Sequence, residues 1–228
     1  MTTLMAFDTV FEQCSLAIVQ DNTVIYQQTI AGNRGQTEII LSMVDAALAT
    51  SGLGLDEIDC LAFNRGPGAF SGIRINTAVV QALAVAADVP CVGVSSLAVL
   101  ADTAQLSGQY ADDTSITAVM DARQNQLYAG HFVIKDGKAM PIIQPNNPYG
   151  NEGLLDYGSQ LVADVITGDG TALVESAATV APVQPTAVDI ARLAWHAYQA
   201  GQAVVAEQAL PVYLRDNAWK TLAQQGKH

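Results

Sequence analysis

The sequence is poor in charge, and above all in positive charge. Only 14% of its 228 residues are charged, and ten basic residues against 22 acidic ones leave a formal net charge of −12. Nucleic-acid affinity depends on Lys and Arg contacts to phosphate, so this chain is not expected to hold a nucleic acid by itself. The low charge fraction fits either an apolar surface that a partner covers or a compact, alanine-rich protein.

Cysteine and histidine are also scarce, with three of each. The odd cysteine count, without a CxxC pair, indicates reduced, buried thiols in a cytosolic protein rather than disulfides or zinc ligands. The histidines show no HxxxH or HExxH spacing, and none follows a strand beside a nucleophile, so we expect neither a metal site nor a catalytic residue. These residues are Cys14, Cys60, Cys91, His131, His196 and His228.

A targeting signal and a long apolar span are missing as well. No Lys or Arg precedes the first short apolar run, so no secretory signal is indicated. The longest apolar helical run contains Arg74 and falls short of the ~20 residues that cross a bilayer. We therefore expect a cytoplasmic protein with no membrane partner.

What the sequence does have is a glycine-rich segment, RGPGAFSGIR, between an apolar run and a helical one. Its glycines, Gly66, Gly68 and Gly72, permit positive φ and the close approach of a backbone or a ligand. Ser71 is placed to N-cap the helix. Arg74 opposes the helix dipole and should need a carboxylate or another anion nearby. Neither the P-loop nor the dinucleotide spacing fits, so a purely structural turn remains the alternative to an anion site.

Helix and strand signals occur twice in a similar order, which indicates an internal duplication. Strands are predicted at 4–7, 14–19, 23–30, 58–63, 91–94, 116–120, 127–134, 139–143 and 165–167. Helices are predicted at 37–50, at 73–87, after Ser95 and at 186–200, and an added edge strand at 212–214. We therefore predict an α/β fold of two lobes, residues 1–107 and 108–228, each opening with a strand that ends in Asp.

The glycine-rich segment resembles the RGPGSFTGLRIG signature of the TsaB (YeaZ) family, part of the bacterial machinery for threonylcarbamoyladenosine in tRNA. Other matching pieces follow in order along nearly the whole chain, namely AFDT with CSLA, DAR with LY, and PVYLR. The resemblance implies two tandem ribonuclease H-like lobes of the actin-like ATPase superfamily, which includes sugar kinases and heat-shock chaperones.

The resemblance also implies a non-catalytic scaffold that uses two helices to bind a second copy or the catalytic paralogue TsaD, while the ATPase TsaE completes the cycle. TsaD would modify the tRNA, which this chain would meet only through the complex. No cofactor of its own is expected, with ATP bound at a subunit interface or by the partner ATPase. TsaD carries a metal-binding histidine pair on the helix matching 37–50. This chain has no histidine there, and Gln36 stands where many TsaB relatives keep one.

Two sets of site residues follow. Helix 73–87 has few polar side chains and needs a cover on its outer side, either the neighbouring helix or another protein. The predicted partner contacts are Thr37, Leu41, Asp45, Ile73, Asn76, Val80 and Ala84. The predicted anion or nucleotide site comprises Asp8, Gly66, Gly68, Ser71, Gly72, Arg74, Asp121, Arg123, Gly168 and Gly170.

Three questions stay open at this stage. The basic residues of positions 1–134 are all arginine, and they either converge on one anion site or are scattered: Arg34, Arg65, Arg74 and Arg123. Strand-end aspartates hold Mg²⁺ and phosphates in actin-like enzymes, so an ATP-dependent phosphotransferase is the alternative function, unless Asp8 and Asp121 are only inherited turn residues. A metalloprotease is a third reading, which fails for lack of ligands.

Overall fold

The structure is a computed structural model that describes residues 1–32 and 35–215. The helices are α1 (Gln36–Ser51), α2 (Phe70–Ala87), α3 (Ser96–Gly108) and α4 (Ala187–Gln199). The first five strands are β1 (Thr3–Asp8), β2 (Gln13–Gln20), β3 (Thr23–Ala31), β4 (Cys60–Gly66) and β5 (Cys91–Ser95). The others are β6 (Ser115–Arg123), β7 (Gln126–Lys135), β8 (Lys138–Pro141), β9 (Glu152–Asp156), β10 (Val165–Thr167) and β11 (Thr179–Ala181).

The first sheet has the strand order β3-β2-β1-β4-β5, in which β1, β4 and β5 are parallel and β2 is antiparallel to both of its neighbours, β1 and β3. Its central strands are apolar runs because both of their faces are buried. Side chains of one face pack against α1 and α2, and those of the other face pack against α4. The sheet is therefore the middle layer of three.

The second sheet repeats this topology. Its order, β8-β7-β6-β10-β11, matches that of the first sheet strand for strand, with β9 added along β7. The counterparts of α1 and α2 are missing, since β9 and a short 3-10 turn at Thr171–Leu173 occupy those places in the chain. The predicted α/β fold of two duplicated lobes is thus confirmed.

The two lobes exchange their last helices. α3, which follows β5, buries Leu97, Leu100 and Ala104 against the second sheet. α4, which follows β11, buries Ile190 and Ala194 against the first. The packing units therefore cross the predicted boundary between residues 107 and 108, and each half of the chain supplies part of the other half's core.

An ion pair joins the exchanged helices. Arg192 on α4 donates from Nε to Asp102 on α3 at 2.9 Å and from a guanidinium nitrogen to Asp189 at 3.1 Å. All three side chains are at most 25% exposed. Because these charges lie where the two helices meet, the link holds the two lobes to each other.

Three local predictions are wrong. β9 and β11 were not expected, and the tail forms no edge strand at 212–214, where a single hydrogen bond joins Val212 N–H to the Arg65 carbonyl at 2.9 Å. Ser71 does not cap α2. That helix begins at Phe70, after Ala69, without any side-chain cap, and Ser71 is exposed in its first turn.

Candidate functional site

A cleft opens where the ends of the two sheets face each other. One compartment, of about 710 Å³, lies between the β1–β2 turn, α3 and the turn after β10. A second, of about 630 Å³, extends from it to the start of α2 and the β6–β7 hairpin. The two share Val10, Glu12, Met120 and Asp169, so they form one continuous cleft.

The glycine-rich segment closes one side of this cleft by close packing. A Cβ on Gly72 would lie 2.1 Å from the Thr9 carbonyl oxygen, and one on Gly68 would lie 2.3 Å from the Val10 side chain. Gly66 has a φ of 90° and precedes a cis peptide bond to Pro67. The Thr9 hydroxyl donates to the Gly72 carbonyl at 2.7 Å. These glycines let the turn lie directly on the β1–β2 turn, which is the structural role that the sequence left open.

The turn after β10 repeats this arrangement in the second lobe. Gly168 has a φ of 103°, and a Cβ there would lie 2.1 Å from the carbonyl oxygen of Val119 on β6. A Cβ on Gly170 would meet the Leu127 side chain at 2.7 Å. Gly168 lines the larger compartment. Both predicted glycines are therefore needed for close packing at the cleft.

Asp8 does not face the cleft. Its side chain is fully buried, and its carboxylate accepts hydrogen bonds from Val10 N–H at 3.1 Å and from the Asn64 amide at 3.0 Å. Longer bonds of 3.4 Å come from Phe11 N–H and the Gln13 amide. Burial raises the pKa of Asp8 to about 6, although these hydrogen bonds lower it. Its partners are all groups of this chain, and it lines neither compartment.

Asp121, the matching residue of the second lobe, does line the cleft. It accepts hydrogen bonds from the Tyr157 hydroxyl at 2.5 Å and from Arg123 N–H at 2.7 Å, and it pairs with the Arg123 guanidinium at 2.9 Å. Burial raises the pKa of Asp121, but these hydrogen bonds and the arginine charge bring it below its usual value. The structure thus brings one of the two predicted aspartates to the cleft, which does not favour a shared Mg²⁺ site.

Three arginines converge on the smaller compartment. Arg74 and Arg123, both predicted, line it together with Arg215. Arg215 is the residue that sequence reasoning missed, although it belongs to the PVYLR segment and stands among the few cations of the chain. Glu12, Asp121 and Asp169 line the same space, and burial raises the pKa of Asp169. Charges of both signs meet here, in contrast with the acidic chain as a whole.

The Arg74 guanidinium contacts two aromatic side chains, Phe70 and Tyr213. Its guanidinium carbon lies 3.8 Å from the centre of the Phe70 ring, and its Nε donates to the Tyr213 hydroxyl at 3.3 Å. The Phe70 and Tyr213 rings are 6.0 Å apart. Within residues 1–32 and 35–215 no carboxylate pairs with Arg74. The expected anionic partner is therefore not supplied by the described part of the chain.

Arg65, another of the predicted arginines, does not join this group. Arg65 turns toward the second lobe, where a guanidinium nitrogen lies 3.5 Å from the carboxylate of the buried Glu152. Burial raises the pKa of Glu152, and Arg65 lowers it. Arg34 lies outside the described residues. Of the four predicted arginines, Arg74 and Arg123 therefore line the smaller compartment, together with Arg215, which was not predicted.

The outward face of α1 and α2 is the second candidate surface. Thr37, Leu41 and Asp45, three of the predicted partner contacts, lie exposed along α1, and Leu41 is 51% exposed. On α2 the predicted contacts Ile73, Asn76, Val80 and Ala84 are at most 2% exposed because they face the sheet. That part of the prediction is wrong. The outward residues of α2 are instead Ser71, Arg74, Ala78, Ala82, Val85 and Ala86.

Two buried amide groups on this helix pair donate hydrogen bonds to backbone carbonyls of the first lobe. The Asn76 amide donates to the carbonyls of Phe7 and Asn64 at 3.3 and 3.0 Å. The Gln36 amide donates to the carbonyls of Thr9 and Gln13 at 3.1 and 2.8 Å. Both amide groups therefore attach their helices to the first lobe, whereas the Asn76 side-chain oxygen and the Thr77 hydroxyl are buried without a hydrogen-bond partner.

The described histidines and cysteines line neither compartment of the cleft. Among the described residues no group of three His, Cys, Asp or Glu side chains is arranged to hold a metal ion. His131 bonds to the Thr117 hydroxyl at 3.1 Å, His196 is exposed on α4, and His228 lies outside the described residues. The three cysteines are buried free thiols, as predicted, and burial raises the pKa of each to about 11 or 12.

One described helix, α2, is long and apolar enough to pass for a membrane span. Its packing gives the better explanation of that composition. Ile73, Val80 and Ala84 are buried on the first sheet, and the helix is a core element of this lobe.

Comparison with known proteins identifies close relatives. The family model of TsaD, tRNA N6-adenosine threonylcarbamoyltransferase, matches residues 24–147. The TsaB protein of Escherichia coli, described as a tRNA threonylcarbamoyladenosine biosynthesis protein, is 32% identical over 96% of this chain and 97% of its own length. The TsaB protein of Haemophilus influenzae shows the same identity and coverage. The structure of YeaZ from Pseudomonas aeruginosa superposes with a TM-score of 0.80 at 31% identity, covering 94% of this chain and all of YeaZ.

Proposed function

The chain belongs to the TsaB family of tRNA threonylcarbamoyladenosine biosynthesis proteins, and on that premise we propose that it is a non-catalytic docking subunit of this pathway. The subunit would bind a TsaD-like paralogue through the outward face of α1 and α2. A TsaE-like ATPase would join the complex, in the cytoplasm, and tRNA would be reached through the partners. In isolation the same face would serve a homodimer.

The outward face of α2 is the observation that carries this proposal. From Ile75 to Ala87 the helix has no charged side chain, and its exposed residues are alanines and Val85, which is 68% exposed. Small side chains permit the close approach of another helix, and an uncharged, apolar surface favours burial by a partner. α1 lies beside α2 on the same side of the sheet and adds the exposed Leu41.

The experiment places a charge on this face. We expect Ala82→Glu and Val85→Glu to weaken binding to the TsaD-like paralogue at least tenfold in a pull-down or a calorimetric titration, because each would put an unpaired carboxylate into an apolar interface. Both positions are exposed, so both variants should keep the wild-type thermal transition.

Two controls make the result specific. Ile143→Glu changes a side chain that is 64% exposed on the second lobe, and it should bind the paralogue normally. Val80→Glu points into the core, at 0% exposure, and should fail to fold. Undiminished binding by both α2 surface variants would disprove the assignment of this face.

We also propose that the smaller compartment of the cleft, hereafter the anion cleft, binds a phosphate-bearing ligand. Support comes from Arg74, Arg123 and Arg215, which line one compartment, and from the N-terminus of α2 at its edge. ATP bound at a subunit interface would suit such a half-open site, and the partner ATPase is the other place where it would bind. Phosphoryl transfer by this chain is not favoured, since Asp8 is enclosed by its own hydrogen bonds.

A further inference from the structure

We infer that Arg215 is a positioning residue, which holds the β6–β7 hairpin in a strained shape and thereby presents Arg123 to the cleft. Arg215 belongs to residues 210–215, a segment that follows α4 in the chain and contacts both lobes. The role of Arg215 in ligand binding rests on the proposed function of the anion cleft. Its role in holding the hairpin can be tested separately.

The hairpin tip is strained. Arg123, Gln124 and Asn125 have φ values of 61°, 54° and 59°, so three consecutive residues that are not glycine occupy the left-handed region. Each such residue is disfavoured by contacts of its Cβ, and the conformation persists only where surrounding groups enforce it. Gln124 and Asn125 form the two-residue loop of the hairpin, where positive φ is common, so the additional strain lies at Arg123, beside the register shift of β6. A contact from outside the hairpin can enforce that conformation.

Arg215 provides that contact, as a clamp on the hairpin. Its Nε donates to the Gln126 side-chain oxygen at 3.1 Å, and a terminal nitrogen donates to the carbonyls of Ala122 and Arg123 at 3.3 and 3.1 Å. The planar guanidinium thus spans both strands at the base of the tip, in a geometry that lysine cannot reproduce. On the other side, Tyr157 N–H donates to the Asn125 carbonyl at 3.0 Å.

The rest of the segment fixes Arg215 in place. Val212 N–H is bonded to the Arg65 carbonyl, Tyr213 contacts Arg74 and Phe70, and Leu214 is buried in the core of the second lobe. The segment therefore joins the start of the partner-facing helix α2 to the hairpin, and it sets where Arg74 and Arg123 stand relative to each other.

The test uses the protease site that the hairpin itself contains. Trypsin cleaves after arginine, and the bond after Arg123 should be protected in the wild type because the tip is held. In Arg215→Lys, which keeps the charge and the protease site at position 215, we expect cleavage after Arg123 to be at least fivefold faster, as measured by fragment masses. Glu12→Gln removes a charge from the same cleft, and the Glu12 side chain is exposed and bonds neither to the hairpin nor to residues 210–215, so this variant should leave the protection unchanged.

A rescue variant separates clamping from general stability. Asn125→Gly removes the penalty at one left-handed position, so the double variant Arg215→Lys with Asn125→Gly should recover much of the protection. Wild-type protection in Arg215→Lys, or the absence of any rescue by glycine, would overturn the inference. If Arg215→Lys does not fold, Gln126→Met decides instead, because it removes only one acceptor. It should raise cleavage by a smaller factor, and unchanged protection would refute the clamp.

Pyrophosphate titrations of the same proteins test the functional meaning. Calorimetry should show binding by the wild type and at least fivefold weaker binding by Arg215→Lys, with recovery in the glycine double variant. If the wild type does not bind pyrophosphate, the proposal of an anion cleft is wrong. The role of Arg215 in holding the hairpin would still be decided by the protease result. Equal binding by wild type and Arg215→Lys would refute the positioning role.

Discussion

Asp8→Asn should remove a specific part of the pH dependence of stability. The Asp8 carboxyl is fully buried, and burial raises its pKa from 3.8 to about 6. A carboxyl whose pKa is higher in the folded state favours folding while it is protonated. Its contribution is fully present below pH 3.8 and is lost as the pH rises through about 6. At neutral pH the wild type therefore carries a buried charge that the asparagine variant lacks.

The size of the effect follows from the pKa values. A difference of about two units corresponds to about 3 kcal/mol over the whole transition. About 1.4 kcal/mol of this falls between pH 5 and pH 8, a range that stays above the isoelectric point near 4.3. Asparagine keeps an oxygen for the bonds from Val10 and Asn64, and its NH₂ group meets only the two donors at 3.4 Å.

The assay is urea unfolding, followed by circular dichroism, of wild type and variant at pH 5, 6, 7 and 8. The free energy of unfolding of the wild type minus that of Asp8→Asn should fall by about 1.4 kcal/mol across this range. Asp156→Asn, which changes an exposed carboxylate at the end of β9, should show no such trend. A difference between wild type and Asp8→Asn that stays constant with pH would refute the assigned burial of the charge.

Two further substitutions test the packing between elements. Gly72→Ala should lower the free energy of unfolding by about 2 kcal/mol because its Cβ would meet the Thr9 carbonyl. Gly153→Ala, where a Cβ would find open space, should change this free energy by less than about 0.5 kcal/mol. Equal urea midpoints for the two variants would contradict the close packing at Gly72. Arg192→Ala should cost about 2 kcal/mol because it leaves the poorly exposed Asp102 unpaired, and a wild-type urea midpoint would show that the link between α3 and α4 contributes nothing.

The strand pattern was readable because each lobe has strong local signals. Apolar runs bounded by glycine or aspartate fixed the central strands, and their repetition revealed the duplication. β11 has three residues and β9 follows a proline- and asparagine-rich loop, so neither carries enough alternation to stand out. Those strands exist because β10 and β7 offer them open edges, which is information from the tertiary structure.

The exchange of α3 and α4 had no local signal at all. Each helix has an apolar stripe that would suit either sheet, and sequence order alone assigns α3 to the first lobe. The site was affected in the same way. Arg74 and Arg123 could be selected as loop and helix-start arginines, but nothing local indicated that Arg215, some 90 residues beyond Arg123, would contact its carbonyl.

The error on α2 has a physical cause that also bears on its function. Its sheet-facing side carries Ile73, Val80 and Ala84, and its outward side carries Ala78, Ala82 and Val85. Because both sides are apolar, periodicity cannot tell which one faces the sheet. A helix that needed to be buried on one side only would show polar residues on the other. The apolar character of both sides of α2 therefore explains why its orientation was predicted wrongly, and it also supports a partner on the exposed side.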